Sequence, residues 1–226
     1  MSRALAFILA PLALAITGCS QIAKASEGVV AAPAAAVKAT EAGGLKTAIF
    51  AGGCFWGVEA VFSHVKGVKS AVSGYHGGTE RSAKYDLVSS GITDHVEAVK
   101  VTYDPNVIRY DQLLRIFFSV IADPTLKNRQ GPDSGRHYNA ELIPLSAEQL
   151  KIAKAYLTQM KASGKWSAPI VTPIVRAQAF YPAERYHQDF AAKNPQHRYI
   201  QRWDKPKVEA LKRLYPGVYS ASFTRG

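Results

Sequence analysis

One cysteine stands where a nucleophile would be expected. Cys54 follows two glycines, at a point where a short apolar strand gives way to a helical pattern. Backbone N–H groups and the helix dipole favour an anion there, and thiols at such positions have pKa values of about 3.5 to 7.5. The sequence therefore predicts a reactive thiolate at Cys54, in preference to the common alternative of an inert core cysteine.

Two large aromatic side chains, Phe55 and Trp56, directly follow this cysteine. Beside a reactive sulfur they predict an apolar pocket for a greasy or polarisable group, such as an S-methyl group. The residue types alone indicate a reactive cysteine with an apolar pocket, and they leave its reaction open.

The second of the two cysteines lies in an N-terminal segment with the pattern of a signal peptide. Arg3 precedes an apolar run over 4–16, which is too short to span a membrane. The run ends in Ile16-Thr17-Gly18-Cys19, which resembles the lipobox of bacterial lipoproteins, whose cysteine is acylated and becomes the first residue of the mature protein. An ordinary secretory signal cleaved nearby is the alternative.

This N-terminal pattern predicts where the protein resides and how its thiol behaves. We expect a signal peptide over 1–18 and an acylated Cys19 followed by a flexible, Ala-rich tether over 19–44. The protein would be exported and anchored by lipid on the periplasmic face of a bacterial membrane, and Ser20 favours the outer membrane. Cys54 would then be the only thiol, so no intramolecular disulfide could form.

Hydrophobic periodicity predicts the elements that position Cys54. Strands are expected over 47–51, 68–75, 95–103, 140–143 and 170–177, and helices over 55–65, 110–122 and 147–163. This order predicts an α/β (α+β) fold, a two-layer sandwich of a mixed β-sheet with packed helices on a ferredoxin-like β-α-β-β-α-β core.

Positive charge is concentrated in the last third of the chain. The net charge is +11, and residues 151–226 contain 14 Lys and Arg against 4 Asp and Glu. No helix-turn-helix, zinc-finger or RRM-like pattern accompanies this charge, so we expect no nucleic-acid partner. A solvated basic surface is the favoured interpretation, and a face that docks on an anionic membrane is the alternative.

The residues around Cys54 resemble a known family. Gly53-Cys54-Phe55-Trp56-Gly57 is similar to the signature of peptide methionine sulfoxide reductase A, and further blocks follow in that family's order. Together the blocks span roughly 45–195, which a chance motif match would not do. The blocks are 74–78, Tyr85, Ser90-Gly91, His95, Glu97, 101–105, 123–125, 128–131, Asp133, Gly135, Tyr138, 180–184 and 186–188.

The resemblance implies a domain over 45–226, with a basic C-terminal extension, and a role for each matching residue. Cys54 would be the nucleophile, and Glu97 would protonate the sulfoxide oxygen. Phe55 and Trp56 would bind the methyl group of the substrate. Glu97 must therefore be protonated when substrate binds, which requires a desolvated site that raises its pKa.

Three further residues match the family's supporting groups. Tyr85 and Tyr138 would help hold the sulfoxide oxygen, and Asp133 would be a supporting carboxylate. The chain departs from the family's pattern nearby without losing a reacting group. The departures are Ala122 for His, Pro132 for Asn, Asp94 for Gly, and Asn139-Ala140 for Arg-Ser.

The implied activity is reduction of the S epimer of free and protein-bound methionine sulfoxide, by a monomer that binds no organic cofactor. The histidines show no metal-ligand spacing, so we expect no metal. Many relatives carry further cysteines that form a disulfide with the oxidised nucleophile, whereas none follows Cys54 here. An external thiol must therefore recycle a Cys54 sulfenic acid: glutathione, a glutaredoxin-like protein, thioredoxin or a periplasmic thiol partner.

Two alternatives belong to other function classes. A one-cysteine thiol peroxidase would also form a sulfenic acid, but no peroxidase motif surrounds Cys54. A lipid-anchored binding module would capture oxidised methionine without turnover. Release of methionine in a single turnover would separate both from a reductase.

Overall fold

The computed structural model describes residues 29–226, so the signal peptide and Cys19 lie outside the described residues. The strands of this range are β1 (Lys46–Gly52), β2 (Val68–His76), β3 (Val96–Tyr103), β4 (Arg129–Gln130), β5 (Asp133–Ser134), β6 (Ala140–Ile143) and β7 (Phe180–Pro182). The α-helices are α1 (Phe55–Ser63), α2 (Tyr85–Ser89), α3 (Tyr110–Ile116), α4 (Ala147–Ala162), α5 (Phe190–Lys193) and α6 (Lys205–Leu214). No helix within residues 29–226 is long and apolar enough to cross a membrane.

Five strands form one sheet in the order β6-β1-β3-β2-β7, and each neighbouring pair is antiparallel. α1 connects β1 to β2, and α3 lies between β3 and β6 in the chain. The predicted two-layer sandwich on a ferredoxin-like core is confirmed, but its five-stranded sheet is antiparallel and not mixed. Because β3 lies between β1 and β2, residues of β3 come beside the turn that follows β1.

The helices pack on one face of the sheet and enclose the main core. The ring of Phe50, on β1, lies 4.9 Å from that of Phe62 on α1. It also lies 5.9 Å from Tyr110 on α3 and 5.4 Å from Phe117. Phe117 begins a π-helical turn, Phe117–Ile121, that extends α3. One aromatic side chain thus ties the strand that leads to Cys54 to both neighbouring helices.

The segment 170–177, predicted as a final strand, runs beside the edge strand β6 without forming a ladder with it. It makes one isolated parallel bridge, between Ile174 and Leu142. Leu142 N–H donates to the Pro173 carbonyl and Val175 N–H donates to the Leu142 carbonyl, each at 3.0 Å. Pro173 has no N–H of its own, which limits ladder formation here. The apolar pattern instead reflects packing on two sides, with Ile170 and Ile174 against the main core and Val175 against the smaller cluster on the other face.

The segment that precedes β1 corrects part of the predicted tether. Residues 29–44, which we call the N-terminal strap, lie along α3 and α4 instead of forming a flexible linker, and Ala32 and Ala39 are buried. Ala32 N–H donates to Ser119 Oγ at 3.0 Å, and Ala39 N–H donates to an Asp111 oxygen at 2.9 Å.

The physical reason for this order is that helix side chains satisfy the strap's backbone. The Tyr156 hydroxyl donates to the Pro33 carbonyl at 2.8 Å. The Gln159 amide donates to the Ala34 carbonyl at 2.7 Å and accepts from Ala36 N–H at 2.9 Å. Small alanine side chains let the chain approach the helices closely, so the composition that suggested flexibility also permits docking.

Replacing Ser119 with alanine should loosen this attachment. Ser119 Oγ accepts from Ala32 and lies 2.6 Å from the Tyr215 hydroxyl, so Ser119→Ala leaves both groups without this partner. We expect the free energy of unfolding, measured by urea denaturation, to fall by about 1–3 kcal/mol. Thr158→Ala, which removes an exposed hydroxyl from α4, is the control and should change little. Equal stability of the wild type and Ser119→Ala would contradict a bound strap.

Candidate active site

The strand-to-helix turn expected at Cys54 is present. β1 ends at Gly52, and Cys54 is the N-cap of α1. Gly53 has a φ of 86°, and a Cβ added to it would lie 2.6 Å from the Gln130 side chain, so only glycine fits. The turn leaves Cys54 half-buried at the N-terminus of the helix.

Glu97 lies beside the same helix N-terminus. It is carried by β3, next to β1, and is 1% exposed. Its Oε2 accepts the Phe55 N–H at 2.9 Å. The first N–H of α1 therefore points at a carboxyl group and not at the sulfur of Cys54.

The environment of Glu97 favours its protonated form. Burial raises the pKa of Glu97 to about 8, the hydrogen bond from Phe55 opposes that shift, and the negative charges of Asp133 and Asp204 reinforce it. At neutral pH the carboxyl group is therefore mostly protonated and can donate a proton.

The prediction of a low thiol pKa was wrong. Burial raises the pKa of Cys54 well above its usual range, and the charges of Glu97, Asp204 and Asp133 raise it further. A hydrogen bond from the Trp56 N–H is the opposing influence. The helix N-terminus is outweighed because the sulfur is desolvated and faces carboxyl groups. The resting site therefore holds a neutral thiol beside a neutral carboxylic acid, and the two titrate as a pair.

Aromatic contacts fix the indole of Trp56. The ring stacks on Phe190, with centroids 3.8 Å apart and an interplanar angle of 6°. Its Nε1 donates to His187 Nδ1 at 3.1 Å. The His187 ring also lies 5.0 Å from the ring of buried Phe55. Burial lowers the pKa of His187, so its ring stays neutral with the proton on Nε2, as the Trp56 hydrogen bond requires.

Tyr85 and Tyr138 lie close enough to Cys54 and Glu97 for their ionisation to be coupled. Burial raises the pKa of Tyr85 to about 12, and the charges of Glu97 and Cys54 add to the shift. The same causes, in the same order, raise the pKa of Tyr138. Both phenols therefore remain protonated and can donate hydrogen bonds. Tyr85 N–H is fixed by a 2.8 Å hydrogen bond to Glu184.

Asp133 connects to the site through a residue that the sequence did not reveal. The Tyr199 hydroxyl donates to the Asp133 carboxylate. The Tyr199 ring lies 5.9 Å from the Trp56 ring, edge to face. Burial and the charge of Cys54 raise the pKa of Tyr199, so this phenol also stays protonated. Tyr199 lies in the basic last third, where no motif or periodic pattern marks it.

Asp204 is a second residue that sequence reasoning missed. It is 1% exposed, and a Cβ at Gly57 would overlap its carboxylate. Asp204 therefore lies directly against the first turn of α1, and its charge raises the pKa of Cys54 and of Glu97. Gly57 is part of the signature around Cys54, and the structure shows why it has no side chain.

The structure brings the predicted domain residues into one site. Around Cys54 lie Phe55, Trp56, Tyr85, Glu97, Asp133 and Tyr138. Cys19, the predicted lipidation site, lies outside the described residues. Over residues 29–226 we find no group of three or more His, Cys, Asp or Glu side chains placed to hold a metal ion.

Comparison with known proteins identifies close relatives of this chain. Residues 46–216 match the family model described as peptide methionine sulfoxide reductase. Peptide methionine sulfoxide reductase MsrA 2 of Mesorhizobium japonicum is 51% identical over 177 residues, which are 78% of this chain and 91% of that protein. Its counterpart from Synechocystis sp. is 48% identical over 176 residues, covering 78% and 82% of the two chains.

Solved structures show the same likeness. Methionine sulfoxide reductase A of Corynebacterium diphtheriae superposes with a TM-score of 0.57 at 28% identity, over 68% of this chain and 77% of that one. Mxr1 from Saccharomyces cerevisiae in reduced form gives a TM-score of 0.56 at 35% identity, over 67% and 87% of the two chains.

Neutralising Asp204 should make the thiol more acidic. Asp204→Asn keeps the size of the side chain and removes a negative charge that raises the pKa of Cys54. We expect the midpoint of Cys54 alkylation by iodoacetamide to move to lower pH. Glu209→Gln, on the exposed side of α6, is the matched control and should leave the midpoint unchanged. An unmoved midpoint in Asp204→Asn would show that this carboxylate does not act on the thiol.

Proposed function

Because this chain belongs to the peptide methionine sulfoxide reductase family, and reduces methionine sulfoxide to methionine, we propose that Cys54 is its nucleophile and Glu97 its proton donor. One observation carries this assignment. Glu97, with a pKa raised to about 8, is hydrogen-bonded to the residue that follows Cys54, which puts an available proton beside the sulfur.

The reaction balances with these two groups. The sulfur of Cys54 attacks the sulfur of the sulfoxide while Glu97 gives its proton to the sulfoxide oxygen, and the thiol proton of Cys54 then returns to Glu97. The attack forms a bond between the two sulfurs. The hydroxyl group then passes to the Cys54 sulfur, both that S–S bond and the S–O bond of the substrate break, and methionine leaves. The substrate sulfur gains an electron pair and Cys54 loses one, which leaves a sulfenic acid.

The surrounding side chains select and orient the substrate. Phe55 and Trp56 supply apolar and aromatic surface for the methyl group, and the hydrogen bond to His187 holds the indole in place. Tyr85 and Tyr138, protonated at physiological pH, donate to the sulfoxide oxygen. When the methyl group and the oxygen of the sulfoxide are both held, only one epimer can turn its sulfur towards Cys54. We assign the S epimer, in both free and protein-bound methionine sulfoxide.

With Cys19 acylated, Cys54 is the only thiol of the chain, and this determines how the enzyme is recycled. No cysteine follows Cys54 in the chain, so an outside thiol must attack the sulfenic sulfur, release water and form a mixed disulfide. A second thiol then restores Cys54. Glutathione, a glutaredoxin-like protein, thioredoxin or a periplasmic thiol partner can each supply these equivalents, and no bound cofactor takes part.

Location is a separate part of the proposal. The apolar run over 4–16 and the lipobox-like Ile16-Thr17-Gly18-Cys19 support export, acylation of Cys19 and anchoring on the periplasmic face of a bacterial membrane. The substrates would then be oxidised methionines of exported proteins.

Replacing Glu97 tests the proton donor. Glu97→Gln can donate a hydrogen bond but not release a proton, so the rate of methionine formation should fall by roughly 10²–10⁴-fold. Wild-type activity should decline as the pH rises through about 8, because Glu97 loses its proton there, and the variant should lack this step. Glu80→Gln, at an exposed site, is the control. A variant with the wild-type rate and pH profile would place the acid elsewhere.

A stoichiometric experiment tests the nucleophile, the epimer and the recycling together. With the S-sulfoxide of methionine and no reductant, the enzyme should release one methionine per Cys54 and stop. Dimedone should then label Cys54 as a sulfenic acid. The R-sulfoxide and the Cys54→Ser variant should release none. Release of no methionine from the S-sulfoxide would favour a peroxidase or a binding module, and a second turnover would contradict external recycling.

Cys19 tests the anchor. We expect acyl chains on Cys19 of the wild-type mature protein by mass spectrometry, and release of Cys19→Ala into the soluble fraction or retention of its precursor. Catalysis in the variant should be unchanged, because Cys54 lies in the separate folded domain. A mature wild-type protein without lipid would refute this part of the proposal.

A further inference from the structure

A groove of about 380 Å³ lies outside the active site, between the start of the N-terminal strap and α6. Val29, Trp166 and Trp203 line it, so it contains two of the chain's three tryptophans. Both indoles are partly exposed. Indole rings at a partly exposed surface suit an interface that is apolar on one side and wet on the other.

The groove lies where the chain enters the folded domain. Val29 is the first described residue and forms part of the groove wall. From there the strap runs along α3 and α4 until Glu41 accepts a hydrogen bond from the Tyr103 hydroxyl at 2.6 Å. Tyr103 pairs with Lys46 at the beginning of β1, so the strap crosses the domain from one end of the sheet to the other.

The groove shares the Cys54 end of the sheet. Ile121 lines the groove, and its side chain would contact a Cβ placed on Gly52, at the end of β1. Asp123 also lines it and accepts a hydrogen bond, through its carbonyl, from the Gln130 amide at 2.9 Å. Gln130 in turn packs on Gly53. The point of entry and the catalytic turn are therefore on the same side of the molecule.

Cationic groups surround the indoles. Arg202, Lys207 and Arg213 line the groove, together with the acidic Asp123 and Glu209. The Asp123 carboxylate is occupied by hydrogen bonds from Thr125, at 2.9 and 2.6 Å.

The segment 202–213 keeps a net positive charge. It holds five Lys and Arg against two acidic residues, and one of these acids, Asp204, is buried against α1. Arg202 lies 5.2 Å from the centre of the Trp203 ring. Exposed cations beside indole rings are the combination that binds the interfacial region of anionic membranes.

We propose that this groove docks the domain on the anionic phospholipid surface of the membrane that holds Cys19. The proposal rests on the proposed acylation of Cys19. Ten peptide steps separate Cys19 from Val29 and span at most about 33–36 Å when fully extended. The groove therefore stays near the bilayer, where Trp166 and Trp203 enter the headgroup region and Arg202 and Arg213 contact lipid phosphates. Docking holds the Cys54 end of the sheet near the membrane.

Vesicle sedimentation tests the docking without the acyl chains. The probe is the mature chain, residues 19–226, carrying Cys19→Ser, mixed with phosphatidylcholine vesicles with or without phosphatidylglycerol. We expect binding to the anionic vesicles only, weakened by added salt. Reversing two groove charges, in Arg202→Glu/Arg213→Glu, should lower the partition coefficient roughly tenfold or more.

The matched control reverses two exposed charges at the opposite end of the sheet. Lys69 is near the start of β2, and Lys151 lies on α4 close to Gln149, whose amide donates to the Thr47 carbonyl at 2.9 Å. Lys69→Glu/Lys151→Glu should bind nearly as the wild type does. If both double variants lose vesicle binding equally, the attraction comes from the overall positive charge of the protein, and the proposal of a specific docking surface is overturned. Absence of wild-type binding would overturn it too.

Tryptophan fluorescence tests which residues meet the lipid. Brominated phosphatidylcholine mixed into the anionic vesicles should quench the tryptophan fluorescence of the wild type. It should quench much less of the fluorescence of the Trp166→Phe/Trp203→Phe variant, which retains Trp56. No difference between the two proteins would overturn the proposal, as expected if residues 19–28 filled the groove instead. Reduction of free methionine sulfoxide should be unchanged in every variant, which confirms folding. If the wild type itself does not reduce free methionine sulfoxide, the proposed function is refuted, but the result on vesicle binding is unaffected.

Discussion

The hydrogen bond between the buried carboxyl group of Glu97 and the Phe55 N–H is the contact on which the proposed chemistry depends. It puts an acid from the middle of the sheet at the first turn of the helix that carries Cys54. Burial then raises the pKa of both groups, so neither is charged in the resting state. A protonated thiol reacts more slowly with oxidants than a thiolate does. In the proposed reaction the sulfoxide oxygen takes the proton of Glu97, and the carboxylate that this leaves takes the proton of the Cys54 thiol.

The basic last third of the chain builds one wall of this site. Phe190 and His187 fix the indole of Trp56, Tyr199 binds Asp133, and Asp204 lies against the first turn of α1. The segment therefore supplies aromatic and acidic groups to the inside of the site while its lysines and arginines face outward. The net charge of such a segment reflects its exposed side chains and does not reveal the aromatic and acidic groups that it contributes to the site.

The N-terminal strap determines at which end of the sheet the chain enters the domain. Its backbone is bound by side chains of α3 and α4, so the chain enters at the end of the sheet where Cys54 lies. An anchor upstream of Val29 would therefore hold the domain by its catalytic end. A thiol that reduces the Cys54 sulfenic acid would then have to reach Cys54 close to the membrane.

The sequence by itself indicated the candidate reacting groups and determined the core topology. Gly53 and Cys54 at a strand-to-helix junction, with Glu97 in a matching block, indicated the reaction, and hydrophobic periodicity indicated the β-α-β-β-α-β order. The junction and the periodicity are local, since each depends on neighbours along the chain, whereas Glu97 was found only through the resemblance to a family. The alanine-rich strap and the segment 170–177 were misjudged because composition and apolar content do not reveal which surface a segment packs on.

Only the tertiary structure decided the protonation of Cys54 and the contributions of Tyr199 and Asp204. A helix N-terminus lowers the pKa of a thiol, and that effect is visible in sequence. Desolvation and carboxyl groups drawn from distant parts of the chain raise it, and they become visible only when those parts meet. The pKa of Cys54 therefore depends on all the groups that surround it in space, and a pattern along the chain does not show which groups those are.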